Sequence, residues 1–169
     1  MKGKIQTFIA LACAAVCAFG MTACDDAGKS TQLGKPVEFE SGVPENISAF
    51  RSKADAFASS FAAETYAAYG KEENFTVSPV SVYSALALAA ECAFGETRSE
   101  VLSALGVTYE QLKANYSAFY RSLNVTKEYD GEVVSMLSLG NSVWLDERLD
   151  YKQSCIDALS EYYYSYTYS

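Results

Sequence analysis

Histidine is absent from the 169-residue chain. That removes the usual general base of serine and cysteine hydrolases and the commonest metal ligand. No Cys-x-x-Cys pair or carboxylate cluster at metal-ligand spacing occurs, so neither a metal nor a cofactor is expected. Cys92 and Cys155, isolated from each other on predicted helices, read as buried free thiols, with one disulfide as the alternative. Glu91 is the one acid within an apolar run; its place in the last helical turn predicts that it reaches solvent, with a pKa-shifted acid as the alternative. Gly28-Lys29-Ser30 has the ending of a phosphate-binding loop. Ala23 stands where such a loop needs its first glycine and no strand precedes it, so it carries no nucleotide. The closing Tyr-rich run, Tyr164 to Ser169, fits either a carbohydrate-binding face or plain strand alternation. No catalytic constellation assembles from these residues, and the chain reads as something other than an enzyme.

The elements that would hold such residues begin after a leader. Lys2 and Lys4 precede an apolar run from Ile5 to Phe19, the pattern of a signal peptide over residues 1–23. Met21-Thr22-Ala23-Cys24 then resembles the lipobox of bacterial lipoproteins, with Met where Leu is commoner. That resemblance implies acylation of Cys24 and a membrane anchored through an N-terminal lipid, because more than one acyl chain holds stably. The alternative is an ordinary secretory cut after Ala23. Either way the chain is expected to be exported, to a cell surface or the periplasmic side of a membrane. Loss of residues 1–23 removes two lysines and no acids, taking the net charge from −8 to −10. With no basic cluster left, nucleic acid is excluded as a partner. Residues 24–45, rich in Gly, Ser, Thr, Lys, Asp and Pro, read as a flexible tether.

Residues 46–169 read as one folded region. Phe50, Ala54, Phe57, Phe61 and Thr65 recur at helical spacing and predict an amphipathic helix ending at Gly70. Phe75-Thr76-Val77 looks like a short strand. Ser78 then suits a helix N-cap and Pro79 the first helical position. The following helix, Val80 to Ala93, is apolar on nearly every face, which predicts complete burial. Thr97-Arg98-Ser99-Glu100 and Thr108-Tyr109-Glu110-Gln111 predict two capping boxes, with Gly106 closing the first helix and Leu123 the second. Asp130-Gly131 marks a turn before a long β-type run, Val133 to Leu145, covered on at least one face. Tyr151 to Tyr163 is again helical. One long strand cannot make a sheet alone, so its partners are expected to be missing.

Taken in order, these motifs resemble the N-terminal part of a serpin. They are Asn74-Phe75-Thr76-Val77-Ser78-Pro79-Val80-Ser81, the apolar helix, Gly95-Glu96-Thr97-Arg98 running to Leu105-Gly106, Leu139 to Leu145 with its Gly140-Asn141 pair and Trp144, and a helix ending at Tyr163-Tyr164. The family has glycine where Cys92 stands and Ala-Asn where Gly140-Asn141 stands. The similarity runs from about Asn46 to Tyr168.

The resemblance implies an α+β serpin-like fold, present as its N-terminal helical part with a few strands of an incomplete sheet. It implies inhibition of serine or cysteine endopeptidases by cleavage and insertion of a reactive loop, with the target protease as partner. No reactive-centre bond lies in this chain, so it is not expected to inhibit alone. Ser78, Pro79, Ser81 and Asn141 match the family's shutter, where the sheet opens. The alternative from another class is a short lipid-anchored helical surface protein with a binding or structural role.

Overall fold

The structure is a computed structural model and describes residues 30–40, 46–70 and 74–169. The expected signal peptide, Cys24 and part of the tether lie outside those residues. Thr31 to Ser169 forms one unit. Its elements are β1 (Gln32–Gly34), α1 (Ser48–Tyr69), α2 (Pro79–Cys92), α3 (Gly95–Leu105), α4 (Tyr109–Leu123), β2 (Val125–Tyr129), β3 (Glu132–Leu137), β4 (Asn141–Trp144), α5 (Gln153–Tyr162) and β5 (Ser165–Tyr168). The α+β class is as the sequence implied.

Local signals place most of the helices. Ser78 accepts from the Ser81 backbone N–H, and Pro79 opens α2. Thr108 and Gln111 form the reciprocal capping box of α4. Gly106, at φ 70°, ends α3 in the left-handed region, where a Cβ would be strained. The first predicted capping box does not form. Gly95, at φ 59°, lets α3 start two residues before Thr97, and Phe94 caps it without a side-chain bond.

The core gathers Phe50 of α1, Tyr83 and Leu88 of α2, Leu105 of α3, Leu112, Tyr116 and Phe119 of α4, and Leu159 of α5. Edge-on ring contacts join three helices, with Phe50–Phe119 at 5.6 Å and Tyr83–Phe119 at 5.7 Å. On α1 the predicted face is fully buried only at Phe50 and Ala54. The all-round burial expected of α2 does not occur. Ser81, Ala85 and Ala89 form an exposed stripe, and Leu139 to Ser142 stand off from Ser81 and Ala85 across a cavity rather than packing on them.

The predicted long strand is two strands in two sheets. β3 turns back on β2 through Asp130 and Gly131, whose φ values of 53° and 78° suit a tight hairpin. β4 instead lies parallel to β5, with Asn141 opposite Ser165 and Trp144 opposite Tyr168. The break falls at Leu139. Its N–H donates to Asn124 Oδ1 at 2.8 Å and its carbonyl accepts from the Tyr120 hydroxyl, so the backbone leaves the ladder for side chains. All of β3 is exposed, against the expected covered face. Phe75-Thr76-Val77 is not a strand.

β5 is the central strand of its sheet, in the order β1-β5-β4. Residues 31–40, expected to be flexible tether, are therefore structured. Thr31 and Ser169 exchange backbone bonds of 2.8 and 3.0 Å. Gly34 sits where a Cβ would meet Ile156 and Ser160 at 2.8 Å, so only glycine allows that approach. Phe39 packs on Tyr164 at 4.5 Å and Tyr120 at 5.6 Å. A backbone ladder needs no apolar alternation, which is why composition misses this strand.

Candidate functional site

Of the matched shutter residues, the structure brings Ser81 and Asn141 to one groove. A cavity of about 240 Å³ separates Ser81, Ser84, Ala85 and Leu88 of α2 from the stretch Leu139 to Ser142. Ser78 and Pro79 do not line it and are linked to it only through the helix cap. Ser78 Oγ and Ser81 Oγ are 2.8 Å apart, so the cap reaches the groove-facing serine. Asn141 points inward. Its Nδ2 donates to the Tyr163 carbonyl at 3.0 Å and to the Tyr116 hydroxyl at 3.2 Å. The start of β4 is thereby tied to α4 and to the end of α5.

Glu91 corrects the expectation from its position. It is 7% exposed, and its two carboxylate oxygens accept from the hydroxyls of Tyr109 and Tyr163, each at 3.0 Å. A carboxylate so close to a helix C-terminus opposes the helix dipole. Arg98 relieves that end of α2 by donating to the carbonyls of Ala90 at 3.0 Å and Glu91 at 3.2 Å, while its guanidinium lies over the Tyr109 ring. Tyr163 then packs, tilted, against Tyr116 at 4.9 Å, and the Tyr116 hydroxyl accepts from Asn141. The buried acid and the shutter-like groove are two ends of one polar path through the core. Sequence reasoning missed it, although an acid in an otherwise apolar helix was the available signal.

Both Glu91 oxygens are occupied, and no described group of three or more His, Cys, Asp or Glu residues is placed to hold a metal ion. The tyrosines report the polar path through pH. Burial raises Tyr83, pushes Tyr116 up to about 12, and raises Tyr163, where the Glu91 charge adds to the effect. In the unfolded chain these phenols ionise near pH 10. The fold keeps them protonated, so their contribution is complete below pH 10 and is lost as pH rises beyond it. The expected loss is up to about 1.4 kcal/mol per tyrosine per pH unit. Urea midpoints taken from about pH 9 to about pH 11, with tyrosinate absorbance followed in parallel, check this. A flat midpoint across that window would contradict it.

Residues 52–169 match the family described as serpin (serine protease inhibitor). The chain belongs to the serpin family. No curated protein matches it. The serpin description is that of protease inhibitors rather than catalysts. The five helices and short sheets are those of an α+β partial serpin fold.

Proposed function

We propose that this serpin chain is the N-terminal portion of an exported, lipid-anchored inhibitor of serine or cysteine endopeptidases. In that role it supplies the helix behind the sheet, two strands of the sheet and the groove where the sheet parts, while the bait loop comes from elsewhere in the protein. The family match over residues 52–169 carries the inhibitor part of this reading, and the signal-peptide and lipobox patterns before Cys24 carry the anchor. Two bare surfaces support it. The α2 stripe of Ser81, Ala85 and Ala89 is exposed, and Trp144 and Tyr166 stand 64% and 44% exposed on one sheet. Ser78, Pro79, Ser81 and Asn141 serve as the shutter, with Asn141 the residue that moves its bonds when the sheet opens. Cys24 is the lipid-bearing residue, which places the protein at a membrane surface outside the cytoplasm.

The test begins with the coding sequence beyond the Ser169 codon. It is expected to continue into further strands and a loop near its end. The whole product, mixed with chymotrypsin-like and subtilisin-like proteases, is expected to give a covalent complex that survives detergent, while the 169-residue chain gives none. A stop codon at that point in the native gene, together with sharp cooperative unfolding of a soluble monomer, would replace this reading with a self-sufficient surface module.

A further inference from the structure

Cys92 ends α2 and Cys155 lies in the first turn of α5, far apart in sequence. Their Sγ atoms are 3.4 Å apart in a thiol–thiol contact, and neither is in a disulfide. A disulfide holds its sulfurs at about 2.05 Å, so closure needs a shift of little over an ångström. Neither residue is sealed in the core. Both line a cavity of about 690 Å³ whose walls include Arg98, Lys113, Lys152 and Phe94. That volume suits a small organic ligand. Its three cations favour one that carries carboxylates, against Glu91 and Asp150 on the same wall. The Glu91 oxygens are already held by tyrosine hydroxyls, so they oppose such a ligand less than free carboxylates would.

We propose that Cys92 and Cys155 form a redox-active pair that exchanges with a small anionic disulfide of the glutathione class, closing an intrachain bond between α2 and α5. The Cys155 thiol is held below its usual range, because Cys92 hydrogen-bonds its thiolate and Arg98 acts in the same direction. The shared contact holds Cys92 above it. Cys155 lies in the first turn of α5, where the positive end of the helix favours a thiolate, whereas Cys92 lies at the negative end of α2, so Cys155 is the attacking sulfur. Its thiolate attacks one sulfur of the external disulfide, forming a protein mixed disulfide and expelling one thiolate. Cys92 then loses its proton and attacks Cys155 Sγ, expelling the second. Two protein thiols become one disulfide, the external disulfide becomes two thiols, and the protons released end on those thiols. The bond joins the C-terminal end of the helix behind the groove to the helix that feeds β5, so oxidation would lock the two together.

The full chain, reduced and then exposed to oxidised glutathione, tests this. After alkylation and tryptic digestion, the expected product joins peptide 72–98 to peptide 153–169, two hydrogens lighter than the reduced pair. It should form at least about tenfold faster in native buffer than in concentrated urea, since the fold supplies the local concentration. A Cys92→Ser chain should stop at a glutathione adduct on Cys155. Equal rates in both solvents, recovery of both cysteines as alkylated thiols, or pairing with Cys13, Cys17 or Cys24 instead would each overturn the proposal. Peptide mapping of the unsubstituted chain decides the matter even if the Cys92→Ser chain fails to fold.

Discussion

Glu91→Leu is expected to destabilise the chain by about 3 kcal/mol, because two tyrosine hydroxyls lose their acceptor at once. Each bond to the carboxylate is charge-assisted, and the Tyr163 ring is fully buried, so water cannot replace the acceptor there. Two terms act the other way. Removing a buried charge recovers its desolvation cost, and removing an acid from the last turn of α2 relieves the helix dipole. The orphaned hydroxyls outweigh them, since an unsatisfied buried group costs about 1–3 kcal/mol. Glu91→Gln should cost much less, because its amide accepts from one tyrosine and donates to the other. Combining Glu91→Leu with Tyr109→Phe and Tyr163→Phe should recover most of the loss. Urea midpoints at unchanged slope give these values. If the triple variant is no more stable than Glu91→Leu alone, the hydroxyls are not the reason.

Tyr116→Ala should cost about 3–5 kcal/mol, a large share of the stability of a domain this size. Its ring is fully buried and packs against Tyr163, Phe119 and Tyr120 with centroids at 4.9, 6.3 and 6.3 Å. Truncation leaves a cavity where α4 meets the end of α5. Tyr116→Phe keeps the ring and removes a hydroxyl that serves Asn141 and Ser84, while Asn141 retains the Tyr163 carbonyl. About 1 kcal/mol is expected for it. Hydrogen exchange separates the two effects. Tyr116→Ala should loosen β4 and β5 together with α4, whereas Tyr116→Phe should raise exchange chiefly around Asn141. Equal losses for the two variants would mean that the hydroxyl, and not the ring, holds this junction.

What could be read from the chain was what neighbours in sequence decide. Ser78-Pro79 opens a helix, Thr108 and Gln111 cap one, and Asp130-Gly131 turns a hairpin, each within four residues. What escaped depended on partners far along the chain. Glu91 was expected at the surface because its acceptors' donors, Tyr109 and Tyr163, lie 18 and 72 positions away. The run from Val133 to Leu145 was expected as one strand because Asn124 and Tyr120, which divert it at Leu139, belong to a preceding helix and its cap. The exposed stripe of α2 escaped for a different reason. An apolar helix announces that it wants burial, and nothing in its own residues says whether a cover is present. The serpin motifs, by contrast, were legible as an ordered set, and the family match bears out that part of the reading.

The pairing of β1 with β5 also sets a length. On the lipid-anchored reading, a tether from Cys24 to Asn46 would stretch to about 75 Å, whereas the segment from Cys24 to Thr31 reaches only about 25 Å. The leash is then a third as long, and the volume the domain can sweep above its membrane falls about 27-fold. On that reading, a serpin held so short would meet proteases that come to the surface and miss those that pass at a distance.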